Sequence, residues 1–272
     1  MLKRFNTSII LVLLLLPLIW LNPTIFSLVV GGLLLLASME LFLMLKTRYA
    51  LKTYEFVLYS LFNGLVYAGF YLYITTQISG LFFVNGLLLA IGLWLAISVF
   101  SPHPMTYFSS ALTLGIYFSI AFSAVSFIQS LGTTVLLYVL MVTMLSDVFA
   151  YLVGVPLGKH KLAPKVSPKK SVEGLIGGLV GSVTVAMVYI TVIQVPFPFD
   201  PPLPLWSFVI ISLFVSLAGQ LGDLIASKIK RDYDIKDFSK LFPGHGGVLD
   251  RFDSTLFASF ILVVVFILLG SI

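Results

Sequence analysis

Along this 272-residue chain the apolar residues run together in stretches long enough to cross a bilayer, separated by short polar breaks. Nine stretches stand out: Thr7–Leu21, Thr24–Leu45, Thr53–Thr75, Leu81–Phe100, Met105–Ile128, Thr133–Val153, Ser171–Val195, Leu205–Ile229 and Phe252–Ile272. Most breaks carry Pro, Gly or Asn, as at Asn22-Pro23, Ser79-Gly80, Pro102-His103-Pro104 and the Pro196–Pro204 run. The first stretch, behind Lys3 and Arg4, has the outline of a signal peptide. It lacks a small-residue cleavage site and runs straight into Pro23 and a second apolar stretch, so it is read as a span. The pattern predicts an all-α, polytopic integral membrane protein of about nine transmembrane helices.

The basic residues orient those helices. Lys3 and Arg4 precede the first span, and Lys46, Arg48 and Lys52 lie between the second and third. Lys159, Lys161, Lys165, Lys169 and Lys170 lie between the sixth and seventh, and Lys228, Lys230, Arg231, Lys236, Lys240 and Arg251 surround the connection from eighth to ninth. With nine spans all 16 Lys and Arg fall on one side, and a miscounted span would scatter them. By the positive-inside rule the N-terminus is cytoplasmic and the C-terminus outside.

Composition narrows the class further. Hydrophobic residues make up 59% and charged residues 10% of the chain, against roughly 25% charged in soluble domains. Nine spans of about 20 residues consume roughly 180 positions, which leaves no room for a separate soluble domain. Soluble enzymes, disordered proteins and disulfide scaffolds are excluded. The absence of cysteine also removes thiolate nucleophiles and cysteine–zinc sites. The chain reads as one membrane unit. Residues 1–130 hold spans one to five without recognisable chemistry. Residues 131–272 hold spans six to nine with two long cytoplasmic loops, 154–170 and 228–253.

The first loop, from Gly154, is rich in lysine and punctuated by Pro156, Pro164 and Pro168, and it leads into a glycine-rich helix start. It can serve as a juxtamembrane basic loop attracted to anionic headgroups or as a phosphate-binding loop whose ammonium groups neutralise a triphosphate. Gly154-x-x-x-Gly158-Lys159-His160 is one residue short of a P-loop and lacks its final Ser/Thr, so that match fails. Gly177-x-x-x-Gly181 is read as helix packing. The second loop mixes six basic and five acidic residues between Ser227 and Ser254 and contains Gly244-His245-Gly246-Gly247, then Asp250-Arg251-x-Asp253. Glycines beside a histidine permit close backbone approach to a ligand. Asp250 and Asp253, three apart, share a helix face; Asp253 also suits an N-cap.

Carboxylates inside spans each need a reason, because a charge there costs at least ~2.5–3.5 kcal/mol. Asp147 lies in the sixth span on a stripe with Tyr151, and Asp223 lies in the eighth with Gly219 and Ser227 a turn to either side, on a stripe reaching Lys230. Glu40 sits six residues from Lys46 and is assigned a structural role, snorkelling to the interface or pairing with a basic neighbour. Asp223, Asp250 and either Asp147 or Asp253 form a set of hard oxygen ligands that favours Mg²⁺ or Mn²⁺ over zinc. Carboxylates and lysines beside a membrane surface point to phosphoryl or nucleotidyl transfer. The competing class is an ion-coupled secondary transporter using Asp147 and Asp223, for which an inverted repeat would speak; no convincing repeat is visible.

Ser227-x-Ile229-Lys230-Arg231, Lys236-Asp237-x-Ser239 and Phe242-Pro243-x-His245-Gly246-Gly247-Val248-x-Asp250-Arg251-Phe252-Asp253 resemble the signature of the phosphatidate cytidylyltransferase (CDP-diacylglycerol synthase) family. Ser146-Asp147 and Ser167-Pro168-Lys169-Lys170-Ser171-x-Glu173-Gly174 are also similar to family features, so the resemblance covers roughly Ser146–Asp253. It implies a Mg²⁺-dependent reaction, with room for a second cation, in which CTP and phosphatidate give CDP-diacylglycerol and pyrophosphate. The implied metal ligands are Asp223 and Asp250, then Asp253 and Asp147. Lys169, Lys170 and Arg251 are expected on phosphate, His245 on a phosphate or the leaving group, and Gly246 and Gly247 at a close backbone approach. Lys230 joins the catalytic set, and Lys159, Ser227, Arg231 and Lys236 the substrate-binding set. A related CTP-dependent enzyme acting on another lipid fits the same motifs. The implied partners are CTP, phosphatidate and the bilayer, with no nucleic acid. Small-residue helix faces permit a homodimer, which the resemblance favours. The expected site is a polar cavity on the cytoplasmic side of the cell membrane, open laterally to lipid.

Overall fold

The computed structural model describes residues 16–76, 80–200, 202–242, 244 and 246–269. After a 3₁₀ turn at Leu16–Trp20 come helices α1 (Pro23–Lys46), α2 (Thr53–Thr76), α3 (Gly80–Val99), α4 (Met105–Leu131) and α5 (Thr133–Leu157). Two short strands follow, β1 (Lys161–Ala163) and β2 (Ser167–Ser171), then helices α6 (Val172–Ile193), α7 (Leu205–Asp232) and α8 (Leu249–Leu268). All eight helices are long and apolar enough to cross a membrane. The expected span Thr7–Leu21 lies outside the described residues apart from its last turn.

The ends of the helices follow local chemistry. Asn22 accepts the Thr24 N–H at 2.9 Å, and Pro23 occupies the first helical position, where its missing N–H costs nothing. Helix α5 runs past the expected Val153 to Leu157 despite Pro156, because a proline this close to the C-terminus disturbs only the final turn. Helix α7 continues beyond Ile229 to Asp232, where Lys230 and Arg231 meet the negative end of the helix dipole. Helix α8 begins at Leu249, three residues ahead of the expected Phe252.

The lysine-rich loop is not irregular throughout. Strands β1 and β2 pair antiparallel, with Lys161 opposite Ser171 and Ala163 opposite Ser167. The turn closes through Val166 N–H to Ala163 O at 3.1 Å. Only three and five residues long, the strands are too brief to show as an apolar alternation.

The chain divides into two compact units, residues 1–127 with 233–250 and residues 128–232 with 251–272. In the first, α2 packs on α1 and α3 on α2. Asn63 donates to Ser38 Oγ at 2.8 Å and Tyr67 OH to Ser27 O at 2.7 Å, so these two donors find acceptors inside the unit. Trp94 packs against Tyr59, Phe62 and Phe108 and donates to Phe108 O at 3.2 Å. His103, in the Ser101–Pro104 turn, pairs with Glu55 in the first turn of α2 at 2.9 Å. A groove of about 430 Å³ between α2 and α3, flanked by Leu61, Leu65, Phe82 and Leu93, carries no titratable group. It suits hydrocarbon and is not the polar cavity that the sequence predicts.

In the second unit α6 lies hard against α5, and the glycines explain why. A side chain at Gly177 would meet Val153, and one at Gly181 would meet Phe149, which is the packing role read from their spacing. Beneath this contact runs a buried polar network. Gln220 donates to Ser146 Oγ at 2.9 Å and Leu175 O at 3.2 Å, Ser216 to Ser146 at 3.0 Å, and Ser182 meets Ser216 at 2.7 Å. These bonds set the mutual register of α5, α6 and α7, because unsatisfied polar groups in hydrocarbon cost several kcal/mol.

Candidate active site

The register of α5 and α7 decides which carboxylates meet. Asp147 follows Ser146 on α5, and Asp223 lies one turn beyond Gln220 on α7, so both sit just past the buried network. From α8, Asp253 comes within electrostatic reach of Asp223, Lys230 and Asp147, and Asp147 likewise of Lys170 and Asp223. Ser254 Oγ donates to Asp147 Oδ2 at 3.4 Å, and its N–H donates to Asp253 Oδ1 at 2.8 Å. Ser227, a turn below Asp223, donates to Asp223 Oδ1 at 3.5 Å. Helix α8 can approach because Gly222 has no side chain: a Cβ there would stand 2.6 Å from the Asp253 carbonyl.

Strand β2 delivers the cation. Neighbouring residues on a strand point to opposite faces; Lys169 is exposed, while the Lys170 side chain is 21% exposed. Lys170 Nζ stands 2.5 Å from Asp223 Oδ2, yet not along a hydrogen-bonding direction, and the buried ammonium has no aligned acceptor. The hairpin is held from below by Glu173, which accepts from the backbone N–H of Lys159 at 3.1 Å and of His160 at 3.2 Å and pairs with His160 Nδ1 at 2.6 Å. Ser171 caps α6 by accepting from Gly174 N–H at 3.2 Å.

Asp250 belongs to the first unit. Its Oδ2 accepts from Phe238 N–H at 2.8 Å and Gly247 N–H at 2.9 Å, so it folds the loop back on the start of α8. Gly246 holds φ near +80° beside it, a conformation that favours glycine. Glu40, from α1, accepts from Ser239 Oγ at 2.7 Å and from the N–H groups of Val248 and Leu249 at 2.8 and 3.0 Å. At 3% exposure it does not snorkel. Its structural role is that of a long-range cap, and its partners lie some two hundred residues away, where no local pattern could announce them.

The structure thus gathers Asp147, Lys170, Asp223, Ser227, Lys230 and Asp253 in the second unit, and Gly246, Gly247 and Asp250 in the first. Lys159, Lys169, Arg231, Lys236 and Arg251 are exposed. His245 lies outside the described residues. Among the described residues no three carboxylate or imidazole groups converge into a ready-made metal cage. A Mg²⁺ site needs only one or two carboxylates and completes its shell with water and substrate phosphates, and the all-oxygen donors Asp147, Asp223 and Asp253 suit that ion in kind.

Residues 2–269 match the model of the Cytidylyltransferase family. The chain is 40% identical over 126 residues to a phosphatidate cytidylyltransferase of Bacillus subtilis (strain 168), covering 46% of this chain and 45% of that one. It is 34% identical over 168 residues to the protein of that name from Staphylococcus saprophyticus, covering 60% and 61% respectively. The Staphylococcus aureus (strain COL) protein of that name gives 34% over 170 residues, with 60% and 61% covered. The matched segments thus span about half to three-fifths of these relatives' lengths. With a family match running nearly end to end and a lysine–carboxylate cluster on its later helices, the chain belongs to the cytidylyltransferase family.

Proposed function

We propose that this chain transfers a cytidylyl group from CTP to phosphatidate, giving CDP-diacylglycerol and pyrophosphate in phospholipid synthesis at the cell membrane. The observation that carries the reading is Lys170, an ammonium held against Asp223 with no aligned acceptor, beside Asp147 and Asp253, in a member of this family. A phosphate oxygen of the lipid attacks the α-phosphorus of CTP, and the bond from that phosphorus to the bridging oxygen of pyrophosphate breaks. The lipid phosphate is already largely ionised at neutral pH, so no strong base is required. The barrier is repulsion between anions, and charge placed in advance lowers it. Lys170 supplies fixed positive charge to a phosphate oxygen, Asp223 fixes Lys170, and Lys230 adds charge beside Asp253. Lys169, on the outer face of the hairpin, together with Lys159, Arg231, Lys236 and Arg251, draws the nucleotide in. Asp223 and Asp253, with Asp147 next, would hold Mg²⁺, which when bound neutralises phosphate oxygens and aligns the displacement; for Asp250 the metal role rests on the motif resemblance.

The one-sided placement of all 16 basic residues supports nine spans, a cytoplasmic N-terminus, an outer C-terminus and a site open to the cytosol. We propose a homodimer as the working assembly, as the family resemblance favours.

The deciding assay incubates the purified full chain with phosphatidate, Mg²⁺ and CTP labelled on the α-phosphate. Label enters a lipid product if the reading is right, and label on the γ-phosphate leaves as pyrophosphate. Labelling of another lipid acceptor in place of phosphatidate would reassign the substrate. Chelation by EDTA should reduce turnover to background, and excess Mg²⁺ should restore it; turnover indifferent to EDTA would remove the metal from the reaction. Glu173→Ala should release the hairpin and raise KM for CTP roughly tenfold, with KM for phosphatidate unchanged. Equal changes in both constants would show that the hairpin does not serve the nucleotide.

A further inference from the structure

Helix α8 starts at Leu249. The residue before it is Val248, whose side chain accepts no hydrogen bond, although the first turn of any helix leaves backbone N–H groups unpaired. The acceptor comes instead from α1. Glu40 takes the N–H groups of Val248 and Leu249 and the hydroxyl of Ser239, so one carboxylate ties together both ends of the segment from 239 to 249. Asp250, on the same turn, takes Gly247 N–H with Oδ2. Gly247 is therefore clasped between two carboxylates, so closely that a Cβ on it would run into the Glu40 carboxylate.

Burying a charged side chain in a membrane helix is costly, and plain helix packing would need none. The site chemistry gives it a purpose. The Gly246-Gly247 turn and Asp250 are the parts of this loop assigned to substrate and metal, and Glu40 anchors the backbone on which they stand. Preorganising such groups requires outer partners that lock their orientation.

We propose that Glu40 is a positioning residue for cytidylyl transfer: it anchors the backbone from Gly247 to Leu249 and thereby fixes Asp250. The inference rests on the transfer reaction proposed above. Glutamine at this position keeps the size but offers one acceptor oxygen and turns an NH₂ toward backbone donors. Glu40→Gln should lower turnover about 10- to 100-fold, raise the Mg²⁺ concentration needed for half-maximal rate, and leave KM for phosphatidate unchanged. Amide exchange in the segment 246–250 should quicken about tenfold or more, with protection in α5 and α6 unaltered. Gly247→Ala provides a second route, since it displaces the carboxylate without altering buried charge; the same local exchange and Mg²⁺ signature is expected, and it decides the matter if Glu40→Gln does not fold. Wild-type exchange at 246–250 in both variants overturns the proposal, as does a loss of protection spread evenly over all helices. Absence of CDP-lipid from the wild-type chain overturns the transfer reading alone, because exchange at 246–250 reports the anchoring without it.

Discussion

Asp223→Asn leaves the chain folded and lowers cytidylyl transfer about a thousandfold. Asparagine preserves the shape of the side chain and an oxygen for Ser227, so local packing changes little. What disappears is the negative charge 2.5 Å from Lys170 Nζ. Lys170 then faces a neutral amide, loses the group that fixes it, and can no longer present its donors in one direction. The proposed metal loses a ligand at the same time. Because both side chains keep partial contact with solvent, at 21% and 29% exposure, the cost to stability stays near ~1 kcal/mol or less. Turnover and the thermal midpoint in detergent, measured on one preparation, separate the two effects. Asp200→Asn, in the exposed loop before α7, serves as the reference and should match the parent in both. An Asp223→Asn enzyme within a few-fold of parental turnover would exclude Asp223 from the chemistry.

The largest effect on stability is expected at Gly178. A Cβ there would stand 2.5 Å from Gln220 Nε2 and 2.7 Å from the Ser146 carbonyl oxygen. The glutamine can swing away only by giving up its bonds to Ser146 and Leu175, and the carbonyl belongs to the α5 backbone and cannot yield. Gly178→Ala should therefore wedge α5 from α6 and destabilise the unit by about 2–3 kcal/mol, with valine worse. Gly177→Ala is the informative comparison, because its obstacle is the Val153 side chain, which can shift. A thermal midpoint for Gly178→Ala equal to that of the parent would show that the close approach is not needed. The same wedge moves Ser146 and with it Asp147, so activity should fall further than the unfolded fraction explains.

These two expectations differ in how much of them the sequence already held. Hydrocarbon thickness dictates how long a helix must be, so a run such as Thr53–Thr75 announces a helix found at Thr53–Thr76. Intramembrane charge is expensive, so Asp147 and Asp223 stood out against an apolar background. The choice between adjacent lysines was not visible: it depends on a hairpin too short for an apolar pattern, whose alternation turns Lys170 inward and Lys169 outward. Nor was the work of Glu40 visible, since a cap supplied across some two hundred residues leaves no trace in local spacing. The role of Gln220 is hidden for a related reason. A polar residue three positions before an aspartate reads as part of one stripe, and only the assembled helices reveal that it bonds to Ser146 and the Leu175 carbonyl.

The long reach of Glu40 also bears on how the chain is made. Helix α1 leaves the ribosome with a carboxylate whose acceptor role has no donors yet, because Ser239, Val248 and Leu249 follow 199, 208 and 209 residues later. At about 5–20 residues per second that interval is roughly 10–40 s. Throughout it, the carboxylate stays near water or carries a proton, and its final hydrogen bonds form only once Leu249 has been made. Chains stopped before Ser239 should leave Glu40 without these donors and α1 more easily extracted from the membrane than in the full chain.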